Sequence, residues 1–131
     1  MHHGSITERT PEEGVINVTQ QVQDAVKIDD GLCLVFCPHT TAALAINEDE
    51  SGLKQDMLDR FDDLFPADGD YRHNRGAEDN ASSHLTTILA GSDHVIPVED
   101  GKLQLGTWQD ILLIETDGPR SRSLEIYCLG E

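Results

Sequence analysis

The chain has 131 residues, 37% hydrophobic and only 5% aromatic, with a formal net charge of −16 from 25 acidic against 9 basic residues. That length suits a single domain, residues 1–131, with a modest, mostly aliphatic core. The acidity argues against a nonspecific nucleic-acid binder or a ligand of anionic membrane surfaces, both of which need a basic face.

Residues 4–9 are expected to form a first strand, and Val18, Val22, Ala25 and Val26 have helical spacing over about Thr19 to Ile28. Asp29-Asp30-Gly31 is a turn, and the apolar run Leu32 to Phe36 reads as a buried strand ended by Pro38. Cys33 and Cys37 each lie two residues from Val35 and share its face; they read as core thiols, with a role for Cys37 at a site edge left open by nearby His39. With Cys128 they make an odd count without a Cys-x-x-Cys motif, which fits reduced thiols in a cytoplasm. A second strand is expected over Ala42 to Ile46. Leu53, Met57, Phe61 and Leu64 then mark one face of a helix, with Asp49 or Ser51 as its cap, an Asp56–Arg60 pair on its flank and Pro66 at its end.

Residues 66–79 form a polar loop carrying His73. Asn80 is a suitable N-cap for a helix to Ala90, with Gly91 as its stop. Strands are expected over Val95–Val98, Lys102–Leu105, Ile111–Thr116 and Ser123–Leu129, with Asp-Gly turns at 100–101 and 117–118. The class is α+β. No run of 18 apolar residues occurs and the first residues do not resemble a secretory leader, so neither a membrane span nor export is expected. Six arginines against three lysines, with acids spread along the chain, suit either a protein kept soluble in high salt or an ordinary acidic cytosolic one.

Three histidines accompany residues that could act with them: His39 in His39-Thr40-Thr41, His73 in Tyr71-Arg72-His73-Asn74, and His84 after Asn80-Ala81-Ser82-Ser83. Catalytic zinc commonly has three protein ligands and an open position. The spacings, 34 and 11, match no local metal motif, so the residues alone leave open either a cluster or three unrelated turn or capping histidines. His94, beside a turn, reads as exposed. Thr40 and Thr41 could hold an oxyanion or merely begin a strand. Glu48, if extended geometry persists, shares a face with Leu44 and Ile46 and suits a general base; otherwise it opens a solvated acidic run. Asp56 reads as a helix-surface acid. The helix start at Asn80 favours an anion, and Arg72, Arg75, Arg120 and Arg122 are candidates for a phosphate clamp or for surface ion pairs. Trp108 belongs in the core, an interface or a pocket wall. Glu115, within an apolar run, needs Arg120 or Arg122 as its partner.

Taken together, Pro38-His39-Thr40-Thr41-Ala42-Ala43, Asn47-Glu48, Asp56, Tyr71-Arg72-His73-Asn74, Asn80 to Leu85, Gly106-Thr107-Trp108-Gln109 and Glu115 with Arg120 or Arg122 resemble the YjbQ family, also called the secondary thiamine-phosphate synthase family, over about residues 14–130. The resemblance implies an α+β fold with a curved, mostly antiparallel sheet and about three helices, assembled as a homotrimer with sites near subunit interfaces. It implies that His39, His73 and His84 share a pocket able to hold zinc or another divalent ion, magnesium among them if the substrate is a diphosphate. It also implies a weak thiamine-phosphate synthase activity, joining an aminopyrimidine methyl diphosphate to a thiazole phosphate. In that reading His39, His73, His84 and Glu48 are catalytic, and Thr40, Thr41, Asn80, Arg120 and Arg122 bind substrate or anion. A metal-dependent hydrolase would use the same residues. A noncatalytic trimer binding a metal or a small phosphorylated metabolite would need the histidines but not Glu48 as a base.

Overall fold

The computed structural model describes residues Met1–Glu131. Eight strands and three helices follow in the order β1 (His2–Arg9), β2 (Gly14–Asn17), α1 (Thr19–Ala25), β3 (Gly31–Phe36), β4 (Ala42–Asn47), α2 (Ser51–Leu64), α3 (Ala81–Ala90), β5 (Asp93–Glu99), β6 (Lys102–Leu103), β7 (Asp110–Glu115) and β8 (Ser121–Gly130), with a 3-10 turn at His73–Arg75. The strands make two antiparallel sheets, β1-β8-β3-β5-β6 and β2-β7-β4. The architecture is α+β, as expected. No helix is long and apolar enough to cross a membrane.

Strand periodicity explains the layering. Leu124, Ile126 and Cys128 of β8 and Cys33 and Val35 of β3 meet Leu44 of β4 and Ile111 and Leu113 of β7 in one buried cluster between the sheets. The alternate residues of β7, Leu112 and Ile114, are also buried, because α3 packs along β4 and α2 along β2 on the other side of the smaller sheet. A strand covered on both faces is apolar throughout, which is why β7 reads as a continuous run. β3 does not fit the buried-strand expectation. Cys33 and Val35 face the core, but Leu32 and Phe36 are 46% and 39% exposed, because nothing in the chain covers the outer face of the larger sheet.

Other local expectations change in instructive ways. α1 stops at Ala25; Val26, on extended backbone, and Ile28 stay buried beyond its end. Glu50, rather than Asp49 or Ser51, caps α2, accepting from the backbone N–H groups of Gly52 and Leu53. Arg60 pairs with Asp63 instead of Asp56, and Leu64 is exposed while Leu58 lies on the half-buried side. The Asp100-Gly101 turn is a true hairpin turn, with φ of 50° and 76° at its two residues. The Asp117-Gly118 turn carries the chain from the smaller sheet to the larger one, since β7 and β8 do not pair.

β3 and β8 come closest where Gly31 opposes Gly130. A Cβ on Gly31 would lie 2.1 Å from the Leu129 carbonyl oxygen, and its φ of +150° is open only to glycine in practice. Gly31→Ala is therefore expected to lower stability by about 1–3 kcal/mol or more, read as an earlier urea midpoint. An unchanged midpoint would mean that the strand ends separate without penalty.

Candidate functional site

A buried ion pair closes one end of the inter-sheet core. Glu115, the last residue of β7, and Arg122, near the start of β8, are 0% and 4% exposed. The guanidinium donates from Nε to Glu115 Oε1 at 2.7 Å and from Nη2 to Oε2 at 2.6 Å. Thr10 Oγ1 donates to Oε1 at 2.7 Å and the Asp117 N–H to Oε2 at 3.0 Å. Arg122 Nη2 also donates to Thr41 Oγ1 at 3.0 Å. Burial pushes the Glu115 carboxyl upward, but the bonds from Arg122, Thr10 and the Asp117 N–H outweigh it and hold the group below its ordinary value. The network joins both sheets and fixes the segments on which the candidate site is built.

Above this pair lies an open cavity of about 490 Å³ with no hydrophobic side chain in its lining. His39 enters from the loop before β4, His73 from the 3-10 turn and His84 from the first turn of α3. Thr40, Thr41, Asn80, Arg120 and Arg122 complete most of the wall. Three separate segments, two of them consecutive along the chain, thus line one cavity with the three histidines. The His73 and His84 rings are edge to face, 4.8 Å between centroids.

Each histidine is held differently. His39 Nε2 is 2.9 Å from the Ser123 carbonyl oxygen and 3.2 Å from its N–H. Nε2 meets the carbonyl as a donor in one tautomer and the N–H as an acceptor in the other, so either contact anchors the ring at this nitrogen. His73 Nε2 donates to Asn80 Oδ1 at 3.0 Å, while Asn80 Nδ2 donates to Asp117 Oδ2 at 2.9 Å. Arg120 Nη2 donates to the same Asp117 oxygen at 3.0 Å. This relay orients His73 and leaves Nδ1 as its lone-pair nitrogen. His84 is held through its helix: Ser83 Oγ donates to the Thr116 carbonyl at 3.1 Å and accepts from Thr116 Oγ1 at 2.8 Å.

Asn80 occupies the N-cap position of α3, but its side chain serves His73 and Asp117 rather than the helix. The Ala81 N–H is capped by Asn74 Oδ1 at 3.0 Å, a role the sequence reading missed. Arg120 and Arg122 are both engaged by carboxylates, so their charge is partly neutralised. Nη1 of Arg122 remains without a partner in the chain.

Glu48 does not reach this cavity. It follows the far end of β4, six residues long, and at about 3.3 Å per residue lies roughly 20 Å from Thr41. Asp56 sits exposed on α2. Within one chain, Glu48 is therefore replaced as a carboxylate near the histidines by Glu78 and Asp117, both in the cavity wall. Asp117 is occupied by Asn80 and Arg120, whereas Glu78 has no hydrogen bond to the rest of the chain. Glu78 was hidden in a polar loop without periodicity. Trp108 is 72% exposed, which removes the core and pocket-wall readings within the chain. Cys37 is structural: burial pushes its thiol up to about 11, and Sγ donates to the Ala42 carbonyl at 3.5 Å. His94 is not free either, its Nε2 donating to the Leu44 carbonyl at 3.0 Å.

In this arrangement no three His, Cys, Asp or Glu side chains close on one point. The donor chemistry nevertheless suits a divalent ion. His73 has one nitrogen fixed by an oxygen acceptor and the other left as a lone-pair donor, the usual arrangement of a metal-binding histidine, and His39 is anchored through Nε2 with Nδ1 unbonded.

Fold and site define a two-sheet α+β protein with a histidine-lined polar cavity at the end of its inter-sheet core. Residues 4–131 match the family described as UPF0047 protein YjbQ-like, and the chain belongs to that family. It is 49% identical over 115 residues to a UPF0047 protein of Archaeoglobus fulgidus, covering 88% of this chain and 90% of that protein. It is 38% identical over 125 residues to the UPF0047 protein YugU of Bacillus subtilis, covering 92% and 93%. Among solved structures, a hypothetical protein from Aeropyrum pernix superposes with a TM-score of 0.95 at 41% identity, covering 100% of both chains. A YbjQ-like protein from Sulfolobus solfataricus gives 0.93 at 37%, covering 99% and 97%.

Proposed function

We propose that this protein is a metal-dependent enzyme acting on a small phosphorylated metabolite in the cytoplasm, with His39, His73 and His84 at the reaction centre. The observation that carries this reading is the meeting of three imidazoles from three separate segments in one cavity without hydrophobic lining. Surface histidines that merely cap turns have no reason to converge, whereas ligands and acid/base groups must. The Nδ1 atoms of His39 and His73 make no hydrogen bond within the chain, and in this reading they hold zinc or magnesium. Bound there, such an ion would supply positive charge to a departing phosphate or diphosphate. In this reading Arg122 Nη1 and the Thr40 hydroxyl hold phosphate oxygens, and Glu78 or His73 moves a proton; all four residues line the cavity. The reaction class is transfer or hydrolysis at a phosphate ester. Joining an aminopyrimidine methyl diphosphate to a thiazole phosphate, with release of pyrophosphate, is the first transfer to assay.

A homotrimer belongs to this proposal, and exposure supports it. The outer face of the larger sheet presents Leu32, Phe36, Val95 and Leu129, from 39% to 62% exposed, with Met1, Leu34 and Tyr127 beside them. An apolar sheet face of this kind marks an association surface. Trp108 and Glu48 lie at the far end of the smaller sheet, where a neighbouring subunit could use them. The competing reading, a noncatalytic trimer that binds a metal or phosphorylated metabolite, is favoured by one feature: the cavity arginines are already paired with carboxylates.

Metal analysis of the purified protein, with native mass from light scattering, tests the proposal. The expected result is a mass of three chains and about one ion per chain, as in three-ligand zinc sites. Loss of that ion is expected in His73→Ala and in His84→Ala, both still folded by circular dichroism. No bound ion and no uptake of zinc, manganese or magnesium would sink the metal centre.

A further inference from the structure

A cleft of about 90 Å³ lies between α2 and α3 and shares no lining residue with the histidine cavity. Leu58, Phe61 and Phe65, all half-buried, form its apolar wall on the α2 side. Two carboxylates line the same space, Asp62 of α2 and Glu13 immediately before β2, and no basic side chain does. The lining is therefore acidic and apolar at once, where the histidine cavity has no hydrophobic side chain.

The chain leaves this negative charge uncompensated. Neither Glu13 nor Asp62 belongs to an ion pair. The two bases of α2 are committed elsewhere, Lys54 to Asp49 at 2.6 Å and Arg60 to Asp63 at 3.1 Å. Burial, with repulsion from Asp62, Asp59 and Glu12, raises the Glu13 carboxyl above its ordinary value. Carboxylates on open surface are solvated by water and need no partner. Here two phenyl rings and a leucine take part of that water away, which makes an unpaired charge costly. A ligand that is cationic at one end and apolar at the other relieves both defects, and an aromatic face adds its own attraction for a cation. A hard divalent ion fits less well. It needs about six oxygen ligands, and no three His, Cys, Asp or Glu side chains close on one point.

We propose that this cleft binds a small primary alkylammonium ion, its charged head between Glu13 and Asp62 and its chain against Leu58, Phe61 and Phe65. A space of about 90 Å³ is the share of about three water molecules, which limits the chain to about three carbons. The site is independent of the histidine cavity and needs neither a metal nor a phosphate there.

Amide NMR titration of the intact protein at constant ionic strength tests the inference with four probes: n-propylammonium, methylammonium, sodium and 1-propanol. n-Propylammonium is expected to shift the amides of Ser82, Thr86 and Thr116, on the far wall of the cleft, and to saturate. It should bind about ten-fold more tightly than methylammonium, the scale set by burying two further methylenes. Sodium, which has the charge alone, and 1-propanol, which has the chain alone, should leave those amides unmoved. The double variant Glu13→Gln with Asp62→Asn should bind n-propylammonium about ten-fold more weakly, two exposed charges contributing up to a few-fold each. Ala67→Leu, which fills the cleft from its rim without removing a charge, should erase the preference over methylammonium. Saturation by sodium or methylammonium at the same concentrations, equal binding of 1-propanol, or a preference that survives both variants overturns the inference. So do shifts that spread over the acidic surface without saturating.

Discussion

Glu115→Gln is expected to destabilise the protein by about 3–5 kcal/mol, because it leaves the Arg122 guanidinium buried without its counter-charge. Size and shape are nearly unchanged, so the loss reports the charge and its four hydrogen bonds rather than a void. Urea unfolding measures it as a lower midpoint with an unchanged slope. The double variant Glu115→Gln with Arg122→Met should lose less than the two single losses added together, since the two residues share one network. The pH dependence follows from the depressed carboxyl. A group whose folded value lies below its unfolded one, about 4.3 for glutamate, contributes stability above that pH and loses it as pH falls through the folded value. Wild-type stability should therefore drop below about pH 4.3, and this part of the drop should be absent in Glu115→Gln. Equal urea midpoints for both proteins would show that the pair does not hold the sheets together.

The largest effect on turnover is expected at Glu78. In the proposed reaction the cavity carboxylate without a partner takes or gives the reacting proton, and Glu78→Gln should then lower kcat by about 10²–10⁴-fold with little change in bound metal. Glu48→Gln is the informative companion. If one chain completes its own site, turnover survives that change. If a neighbouring subunit inserts the Glu48 end of its smaller sheet into the cavity, turnover falls and Glu78→Gln is mild. Normal turnover in both variants would leave proton transfer to the histidines, read then from the pH profile of His73→Gln. Retained ligand binding with no turnover in the wild-type protein would favour the noncatalytic reading.

Much was legible from the chain because it rests on local physics. The strands over 4–9, 42–46, 95–98, 111–116 and 123–129 and helices over 53–64 and 80–90 follow from period-2 and period-3.6 burial and from turn residues such as Asp100-Gly101. The core role of Cys33 and Cys37 and the partnership of Glu115 with an arginine follow because a strand alternates its faces and a buried carboxylate needs a counter-charge. Histidine spacing alone left convergence undecided, and the family resemblance tipped that balance. Tertiary structure decided the rest. Arg122 rather than Arg120 pairs with Glu115, because β8 places residue 122 on the inward face with Leu124 and Ile126. Asn80 serves His73 and Asp117 because Asn74, seven residues before Ala81, already caps α3. Glu48 is separated from His39 by the length of one extended strand, although only eight positions divide them in sequence. Glu78 enters the cavity on a loop with no periodicity to reveal its direction. In each case the outcome depends on which segments the fold brings side by side, and that is a property of packing across the whole chain, which residue order along one stretch does not encode.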